Sequence, residues 1–429
     1  MSEYLADSRK VFSALDGEDP ITLFSALKTP CYIIDEVQLR KNGEILCKVA
    51  ENTGCKILLA QKAFSNYNFY PLLAEYLSGT EASGLFEARL GYEEMPDKEV
   101  HVFCGAYRED EFDELLQYAD HIVFNSPHQL KKFGFSAKEK GKSIGLRINP
   151  EFSTQDGHGI YDPCAYGSRL GTTRCQWDTE MTSELVALLD GLHFHTLCEQ
   201  NADDLVRTVT AVENRFGDIL PKMKWLNMGG GHHITRWDYA ISLLERCITD
   251  VQKKWNVQVY LEPGEAVALN AGYLATRVLD IVQSGDICNA ILDVSASCHM
   301  PDVIEMPYTP PLYGAMAEKS AHCYRLTCPT CLAGDVIGDY YFGKDLHIGD
   351  MLLFGDMAIY STCKNNTFNG MPLPNIFRLN ENRMCRQITD FDYYDFKMRL
   401  GSKKIHRRLD ENISFSDNKW RDNNCKWDG

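Results

Sequence analysis

The sequence has no apolar stretch long enough to cross a bilayer, and its first ten residues, MSEYLADSRK, lack the apolar core of a secretory signal. A membrane-spanning protein is therefore not expected, and neither is a secreted one. We predict a cytoplasmic protein without a membrane partner.

Positive charge is also scarce. The chain carries 44 Lys and Arg residues against 60 Asp and Glu residues, a formal net charge of −16. Because phosphate backbones bind to basic faces, nucleic acid is not an expected partner. The acidic excess mildly favours a cationic substrate, although most such charge lies on solvated surface.

A second paired cysteine motif is missing even though the chain has 16 cysteines. The cysteines are scattered, and one CxxC motif, from Cys328 to Cys331, has no second pair at zinc-finger spacing. We therefore predict reduced thiols, many of them packed in the core, and no metal site.

Internal repeats, low-complexity linkers and a GxGxxG motif opening an early helix are absent as well. Instead, short apolar runs alternate with segments of helical spacing. The runs are residues 56–62, 78–83, 99–105, 121–125, 143–149, 191–196, 224–230 and 257–263, and the clearest helical segments are 37–51, 109–119, 202–216 and 237–255. Eight alternations predict a (β/α)8 TIM-like barrel; an open doubly wound sheet is the alternative.

The pattern changes near residue 271, where β-rich runs are broken by Gly-Asp turns. We predict a barrel at residues 36–270 and a C-terminal β-sandwich or β-barrel domain at residues 271–402. Residues 1–35, with the strand-like run CYIID, are expected to join that second domain. Residues 403–429 form a charged, Asn-rich tail, expected to be ordered only in part.

Unusual residues stand at the ends of four predicted strands, where the catalytic groups of a barrel collect. Lys62 ends the first strand, His195 the sixth and Glu262 the eighth. Three glycines follow the seventh strand: Gly229, Gly230 and Gly231. We expect these residues to meet at one mouth.

Each residue has a chemical and an ordinary interpretation. A lysine desolvated by barrel walls can form a Schiff base with an aldehyde cofactor, whereas at a rim it can simply reach solvent. The glycines suit a phosphate or a tight turn. Glu262 suits a protonated pyridine nitrogen or a helix start, and His195 suits a cofactor ring or the core. Together they predict pyridoxal 5'-phosphate (PLP).

Longer motifs follow the same order along residues 30–380: AQKAF, SRLG, HFHTLCEQ, NMGGGHH, LEPGEA, PTCLAGD and FGDMAIYS. This order resembles the alanine-racemase-fold (fold type III) PLP-dependent decarboxylases, the group of ornithine, arginine and diaminopimelate decarboxylases. Within the group, HFHTLCEQ, EPGEA, SASCHMPDVIEMPY and CLAGD are similar to the branch that decarboxylates carboxynorspermidine and carboxyspermidine in polyamine biosynthesis.

The resemblance implies roles for individual residues. Lys62 would be the Schiff-base lysine, His195 the ring-stacking residue and Glu262 the partner of the pyridine nitrogen. The glycine loop would bind the phosphate together with Tyr360, and Arg169 would lie near the cofactor.

Two further roles concern a second subunit. Cys331 would protonate the substrate carbon in the partner's site after CO2 leaves, and Asp335 in the same loop would hold a substrate amine. The resemblance therefore implies a homodimer with shared active sites.

Three positions depart from the wider group. Glu265 stands where ornithine and diaminopimelate decarboxylases have arginine, Cys198 replaces a serine, and Leu332 replaces an acidic residue. The carboxynorspermidine branch shares these departures, so they bear on the substrate. These departures are also compatible with an inactive homologue that has a regulatory function.

The branch implies a small-molecule polyamine precursor with a dicationic tail. Asp302 and Glu305 stand three apart after a proline, so a helical turn would project both towards that tail. A solvated acidic turn is the ordinary alternative. A diaminopimelate or basic amino acid decarboxylase remains the competing activity, and a PLP-carrier protein would lack the second domain.

Overall fold

The computed structural model describes residues 11–15, 19–155 and 162–401, so the predicted tail lies outside the described residues. The chain enters through helix α1 (Pro20–Phe24), strand β1 (Cys31–Asp35) and helix α2 (Glu36–Thr53). The Asp35 carboxylate caps α2 by accepting hydrogen bonds from the N–H groups of Val37 (2.9 Å) and Gln38 (3.2 Å). The helix ends at Gly54, whose φ of 72° suits a residue without a Cβ atom.

Eight parallel strands then close a barrel. They are β2 (Lys56–Ala60), β3 (Gly79–Ala82), β4 (Glu99–Phe103), β5 (His121–Phe124), β6 (Ser143–Arg147), β7 (Gly191–His193), β8 (Trp225–Asn227) and β9 (Gln258–Leu261). The last strand pairs with the first, with Lys56 opposite Tyr260. Each predicted run contains one of these strands, and the closed barrel is confirmed over the open sheet.

Helices surround the barrel. They are α3 (Tyr70–Leu73), α4 (Leu85–Glu94), α5 (Glu109–Tyr118), α6 (Pro127–Glu139), α7 (Arg174–Glu180), α8 (Ser183–Leu188), α9 (Ala202–Phe216), α10 (Ile241–Trp255) and α11 (Glu265–Ala268). Helix α9 buries Leu205, Val209 and Val212, the apolar stripe that its sequence spacing predicts. Within the described residues, no helix is long and apolar enough to span a membrane.

The predicted start of α10 at residue 237 was wrong by four residues. Residues 237–240 form a turn in which the N–H of Tyr239 donates to the carbonyl of Arg236 (3.0 Å). The Asn201 side chain also accepts a hydrogen bond from the N–H of Ala240 (2.9 Å). These contacts keep residues 237–240 in the turn, so helix α10 begins at Ile241.

The second domain is a mixed eight-stranded sheet. Its further strands are β10 (Gly272–Ser284), β11 (Ile287–Leu292), β12 (His322–Thr327), β13 (Val336–Phe342), β14 (Met351–Gly355), β15 (Asn375–Leu379) and β16 (Cys385–Gln387). The strand order is β13-β12-β11-β10-β1-β15-β16, with β14 also paired to β10. Strand β1 pairs with β10 and β15, so CYIID belongs to this sheet as predicted. The domain boundaries themselves stay predictions.

Three short helices complete this half: α12 (Ala296–His299), α13 (Asp302–Glu305) and α14 (Tyr393–Leu400). Single 3₁₀ turns lie at Ser13–Leu15, Tyr67–Phe69, Leu220–Lys222 and Phe368–Gly370.

At the amino ends of the strands, side chains fill the interior of the barrel. Trp225 and Tyr260 are buried there, and the Trp225 indole N–H donates to Ser143 Oγ (2.9 Å). A Cβ atom on Gly191 would lie 2.0 Å from the Trp225 ring, so glycine on the neighbouring strand makes room for the indole. We call this end the floor.

Candidate active site

A cavity of about 470 Å³ opens at the opposite end, where the strands finish and the βα loops begin. We call this end the mouth. Seven residues predicted from the sequence line the cavity: Lys62, Arg169, His195, Gly231, Glu262, Asp302 and Tyr360. The strand order therefore brings together side chains that are up to about 300 residues apart in the chain.

Lys62 lies in the turn that follows β2 and is partly buried. The cavity wall beside it includes Glu81, which is only 3% exposed and whose Oε2 has no hydrogen-bond partner in the described part of the chain. Burial and the negative charge of Glu262 raise the pKa of Glu81 well above its ordinary value. Glu81 is thus a buried carboxyl group available to a ligand near Lys62.

Glu262 directly follows β9 and is held at both oxygens. Asn227 Nδ2 donates to Oε1 (2.5 Å), and His193 Nε2 lies 3.0 Å from Oε2. Burial opposes ionisation, but the contact with His193 and the nearby positive charge of Lys62 outweigh it and hold the pKa of Glu262 below its ordinary value. A fixed, buried carboxylate of this kind can keep a heterocyclic nitrogen protonated.

Arg147, the last residue of β6, supplies buried positive charge at the mouth. Its Nη2 donates to the carbonyl of His195 (3.0 Å), and its guanidinium lies 4.5 Å from the centre of the Phe103 ring. Burial lowers the pKa of Arg147 to about 10. Its charge offsets the buried carboxylate of Glu262.

The glycine loop is crowded by backbone. A Cβ atom would lie 2.2 Å from the Glu262 carbonyl at Gly230, and 1.9 Å from the Leu197 carbonyl at Gly231. The N–H of Gly230 donates to His195 Nδ1 (2.8 Å) and so fixes the imidazole. Burial lowers the pKa of His195, which favours the neutral ring. One amide of the predicted phosphate loop therefore orients His195.

A second cavity of about 520 Å³ adjoins the first and shares Glu265 and Asp302 with it. Glu199 and Asp356 add two more carboxylates to its wall, and burial raises the pKa of Asp356 to about 6. His233 Nε2 lies 2.9 Å from Glu265 Oε2. Although burial alone would lower the pKa of His233, this contact raises it. The region favours cations, and His233 provides a local counter-ion.

Asp302 and Glu305 project from α13, as the sequence predicted for a helical turn. Both contact Nζ of Lys364, which follows β14 and also lines the first cavity. Asp302 is largely buried, whereas Glu305 lies at the rim with 57% of its side chain exposed. The acidic pair thus already holds one internal ammonium group.

Cys331 and Asp335 lie outside both cavities of the same chain. Cys331 is exposed, and its thiol donates to Asn369 Oδ1 (2.9 Å). The buried Asp335 carboxylate accepts hydrogen bonds from the Ser295 hydroxyl (2.7 Å) and the Ser297 N–H (3.0 Å). Within one chain, Asp335 therefore organises its own loop.

Comparison with known proteins agrees with this geometry. The family model for the pyridoxal-dependent decarboxylases, described by its C-terminal sheet domain, matches residues 16–358. The carboxynorspermidine/carboxyspermidine decarboxylase of Campylobacter jejuni is 42% identical over 388 residues, covering 88% of this chain and 99% of that protein. The chain belongs to the pyridoxal-dependent decarboxylases.

Other relatives extend the comparison. The carboxyaminopropylagmatine decarboxylase of Synechocystis is 37% identical, covering 88% of this chain and 96% of the relative. The crystal structure of C. jejuni carboxynorspermidine decarboxylase complexed with norspermidine has a TM-score of 0.80 and covers 87% of this chain and 100% of that one. At 18% identity, Helicobacter pylori diaminopimelate decarboxylase shares the fold with a TM-score of 0.75.

The mouth fits the family's cofactor, PLP. The lysine, the ionised carboxylate and the fixed imidazole line one cavity, and Glu81 Oε2 is a buried acceptor without a partner among the described residues. Gly231 and Tyr360 line the same cavity and offer it a backbone N–H group and a hydroxyl group, donors of the kind that a phosphate accepts from. The chain is therefore a PLP-dependent decarboxylase.

Sequence reasoning missed several residues of this decarboxylase site. Glu81 and Arg147 stand near the ends of predicted strands, the same signal that identified Lys62. His193 and Asn227, which hold Glu262, lie inside apolar runs and carry no separate signal. Lys364 becomes visible only through its contacts with α13.

Proposed function

We propose that this decarboxylase converts carboxynorspermidine, and carboxyspermidine, to norspermidine or spermidine and CO2 in polyamine biosynthesis. The observation that carries the proposal is the acidic wall leading away from Lys62, of which Asp302 belongs to both cavities. A tail with two ammonium groups matches that charge, whereas a second carboxylate would be repelled. The similarity to the C. jejuni enzyme supports the same substrates.

Individual residues of the chain would have the following roles in binding the cofactor and in catalysis. Bound PLP supplies an electron sink for the electron pair left when the carboxylate departs. Lys62 would hold the cofactor's aldehyde carbon, and Glu262 would keep a proton on its pyridine nitrogen. His195 would lie against the ring. The loop Gly229, Gly230 and Gly231, with Tyr360, would bind the phosphate end, and Arg169 would lie near the cofactor.

The proposal includes a homodimer, in which Cys331 of the partner subunit returns a proton to the substrate carbon. Cys331 is exposed and lines neither of the two cavities of its own chain, which supports this arrangement. Asp335 would contact substrate only across the same interface. A cytoplasmic location, suited to reduced thiols, completes the proposal.

Mixing two inactive variants tests the shared site. Lys62→Ala and Cys331→Ala chains, after confirmed subunit exchange, should recover part of the wild-type activity, because one site of each mixed dimer keeps both residues. A mixture that exchanges subunits and stays inactive would remove Cys331 from the partner's site.

The substrate is tested by amine product formation. The PLP-loaded protein is offered carboxynorspermidine, carboxyspermidine, carboxyaminopropylagmatine, meso-diaminopimelate, ornithine and arginine in parallel. Norspermidine or spermidine should be the dominant product. Product from diaminopimelate or a basic amino acid alone would overturn the substrate assignment, and PLP binding without any product would favour an inactive homologue.

The second candidate substrate is carboxyaminopropylagmatine, favoured by the 37% identical Synechocystis relative. If the protein decarboxylates carboxyaminopropylagmatine in preference to the other substrates in the same experiment, the substrate of the Synechocystis relative would be assigned to this chain. Asp302→Asn and Glu305→Gln should each raise KM for the preferred substrate about tenfold while PLP binding stays unchanged. An unchanged KM would remove that carboxylate from the tail site.

A further inference from the structure

Lys364 occupies the place where the proposed substrate's ammonium group is expected. Its Nζ contacts Asp302 Oδ1 and Glu305 Oε2, and its side chain lines the cavity that contains Lys62. A lysine ammonium and a polyamine ammonium are the same kind of donor. The acidic pair therefore already binds a group of the type that the substrate would bring.

Hydrogen bonds hold the backbone around Lys364, whereas its side chain is held by the two carboxylates and is partly exposed. The N–H of Asn366 donates to the Cys298 carbonyl (3.0 Å), and Asn366 Nδ2 donates to the Ser297 carbonyl (2.7 Å). On the other side, the Thr362 hydroxyl donates to Asn66 Oδ1 (2.8 Å). The Lys364 side chain is 30% exposed, so it has solvent into which it can move.

The charge balance favours exchange. Asp302 and Glu305 carry two negative charges against the single positive charge of Lys364, and Glu265 adds another carboxylate to the same cavity. A dicationic tail would neutralise the pair fully, which Lys364 alone does not. When a dicationic tail displaces Lys364, the negative charge of Asp302 and Glu305 is therefore neutralised fully instead of in part.

We propose that Lys364 is an internal counter-ion that holds Asp302 and Glu305 before substrate binds and leaves them when a cationic substrate tail enters. This inference rests on the proposed function and adds a positioning residue to it. It also sets specificity, because a tail must carry enough positive charge to replace Lys364. Diaminopimelate, whose distal ammonium stands beside a carboxylate, replaces it poorly since that carboxylate meets the acidic pair.

The test is calorimetric titration of the PLP-loaded protein with norspermidine. Lys364→Met removes the competing charge but keeps most of the apolar stem, so norspermidine should bind about tenfold more tightly. L-Lysine, which carries one tail ammonium, should gain less. Lys364→Arg keeps the charge and should stay within about twofold of wild type. Lys344→Met, at an exposed position, controls for the change in net charge.

A double variant tests whether the tighter binding of norspermidine by Lys364→Met depends on Asp302. Asp302→Asn combined with Lys364→Met should lose most of the gain seen in Lys364→Met alone, because the two charges act on each other. A gain that persists without Asp302 would overturn the proposed contact. Lys364→Gln repeats the measurement with a polar replacement and excludes an effect of the methionine side chain.

The outcomes separate the two proposals. If wild-type protein binds norspermidine and both Lys364→Met and Lys364→Gln bind it equally or less tightly, the counter-ion proposal is wrong. Lys364 would then help to hold the ligand instead of competing with it. Wild-type protein that neither binds norspermidine nor forms it overturns the proposed substrate, and this inference with it.

Discussion

Two lysines flank strand β2 and lie at opposite ends of the barrel: Lys56 begins the strand, and Lys62 lies in the turn that follows it. At the floor, Lys56 contacts Glu99 and lies 5.6 Å from the centre of the Tyr260 ring. Glu99 also lies 3.0 Å from His101, which stacks on His121 with ring centres 3.9 Å apart. At the mouth, Lys62 instead lines an open cavity.

The ionisable groups alone do not distinguish the two ends. Both ends combine a lysine, buried carboxylates or histidines, and aromatic rings. At the floor, Trp225 and Tyr260 fill the interior, although Nδ1 of His101 and Nδ1 of His121 have no hydrogen-bond partner in the part of the chain that the structure describes. At the mouth the interior is left open, and Glu81 keeps a carboxyl oxygen without a partner among the described residues. Packing therefore decides which end can bind a ligand.

The largest expected difference between the two ends is in activity. Lys62→Ala should reduce kcat on the order of 10³-fold or more, because it removes the group that holds the cofactor's reactive carbon. Lys56→Ala should leave kcat within about twofold and cost about 1 kcal/mol of stability. Turnover and borohydride fixation of PLP measure both variants. Equal loss of activity in the two would contradict the division between floor and mouth.

The next effect is on stability and concerns the floor. Trp225→Ala should lower the free energy of unfolding by about 3–5 kcal/mol, since it removes the ring that fills the space against Gly145 and Gly191. Denaturant unfolding measures the change. The folded variant should still bind PLP at the mouth; loss of PLP binding in a protein that remains folded would show that the two ends are coupled.

The smallest expected effect is the pH dependence of the floor. Burial and the nearby His101 lower the pKa of His121 to about 3, below its ordinary value of 6.5. The unfolded chain therefore binds a proton below pH 6.5 that the folded chain does not, and stability falls as the pH decreases from 6.5 towards 3. At pH 5 this contribution is about 2 kcal/mol.

Replacing the histidine should remove that contribution. Between pH 7 and pH 5, His121→Phe should lose about 2 kcal/mol less unfolding free energy than wild type. The exposed His128→Asn variant serves as a matched control. An identical pH slope in His121→Phe and wild type would show that other groups of the floor carry the dependence.

Local pattern predicted much of this molecule. All eight barrel strands fall within the predicted runs, because alternation of short apolar runs and helices is a property of consecutive residues. Lys62, His195 and Glu262 were recognisable because each stands beside the end of such a run. The start of α10 was not, because a turn held by Asn201, about 40 residues earlier, delays the helix.

The sequence by itself thus determined the order of the strands, the reactive side chains at their ends and, through its motifs, the family. Only the tertiary structure decided that the sheet closes, that Glu81 and Arg147 join the site, and that Lys364 reaches Asp302 and Glu305. The physical reason is that periodicity records which face of a segment is buried. Contacts between distant segments depend on how the barrel and the second sheet pack, and no local pattern encodes them.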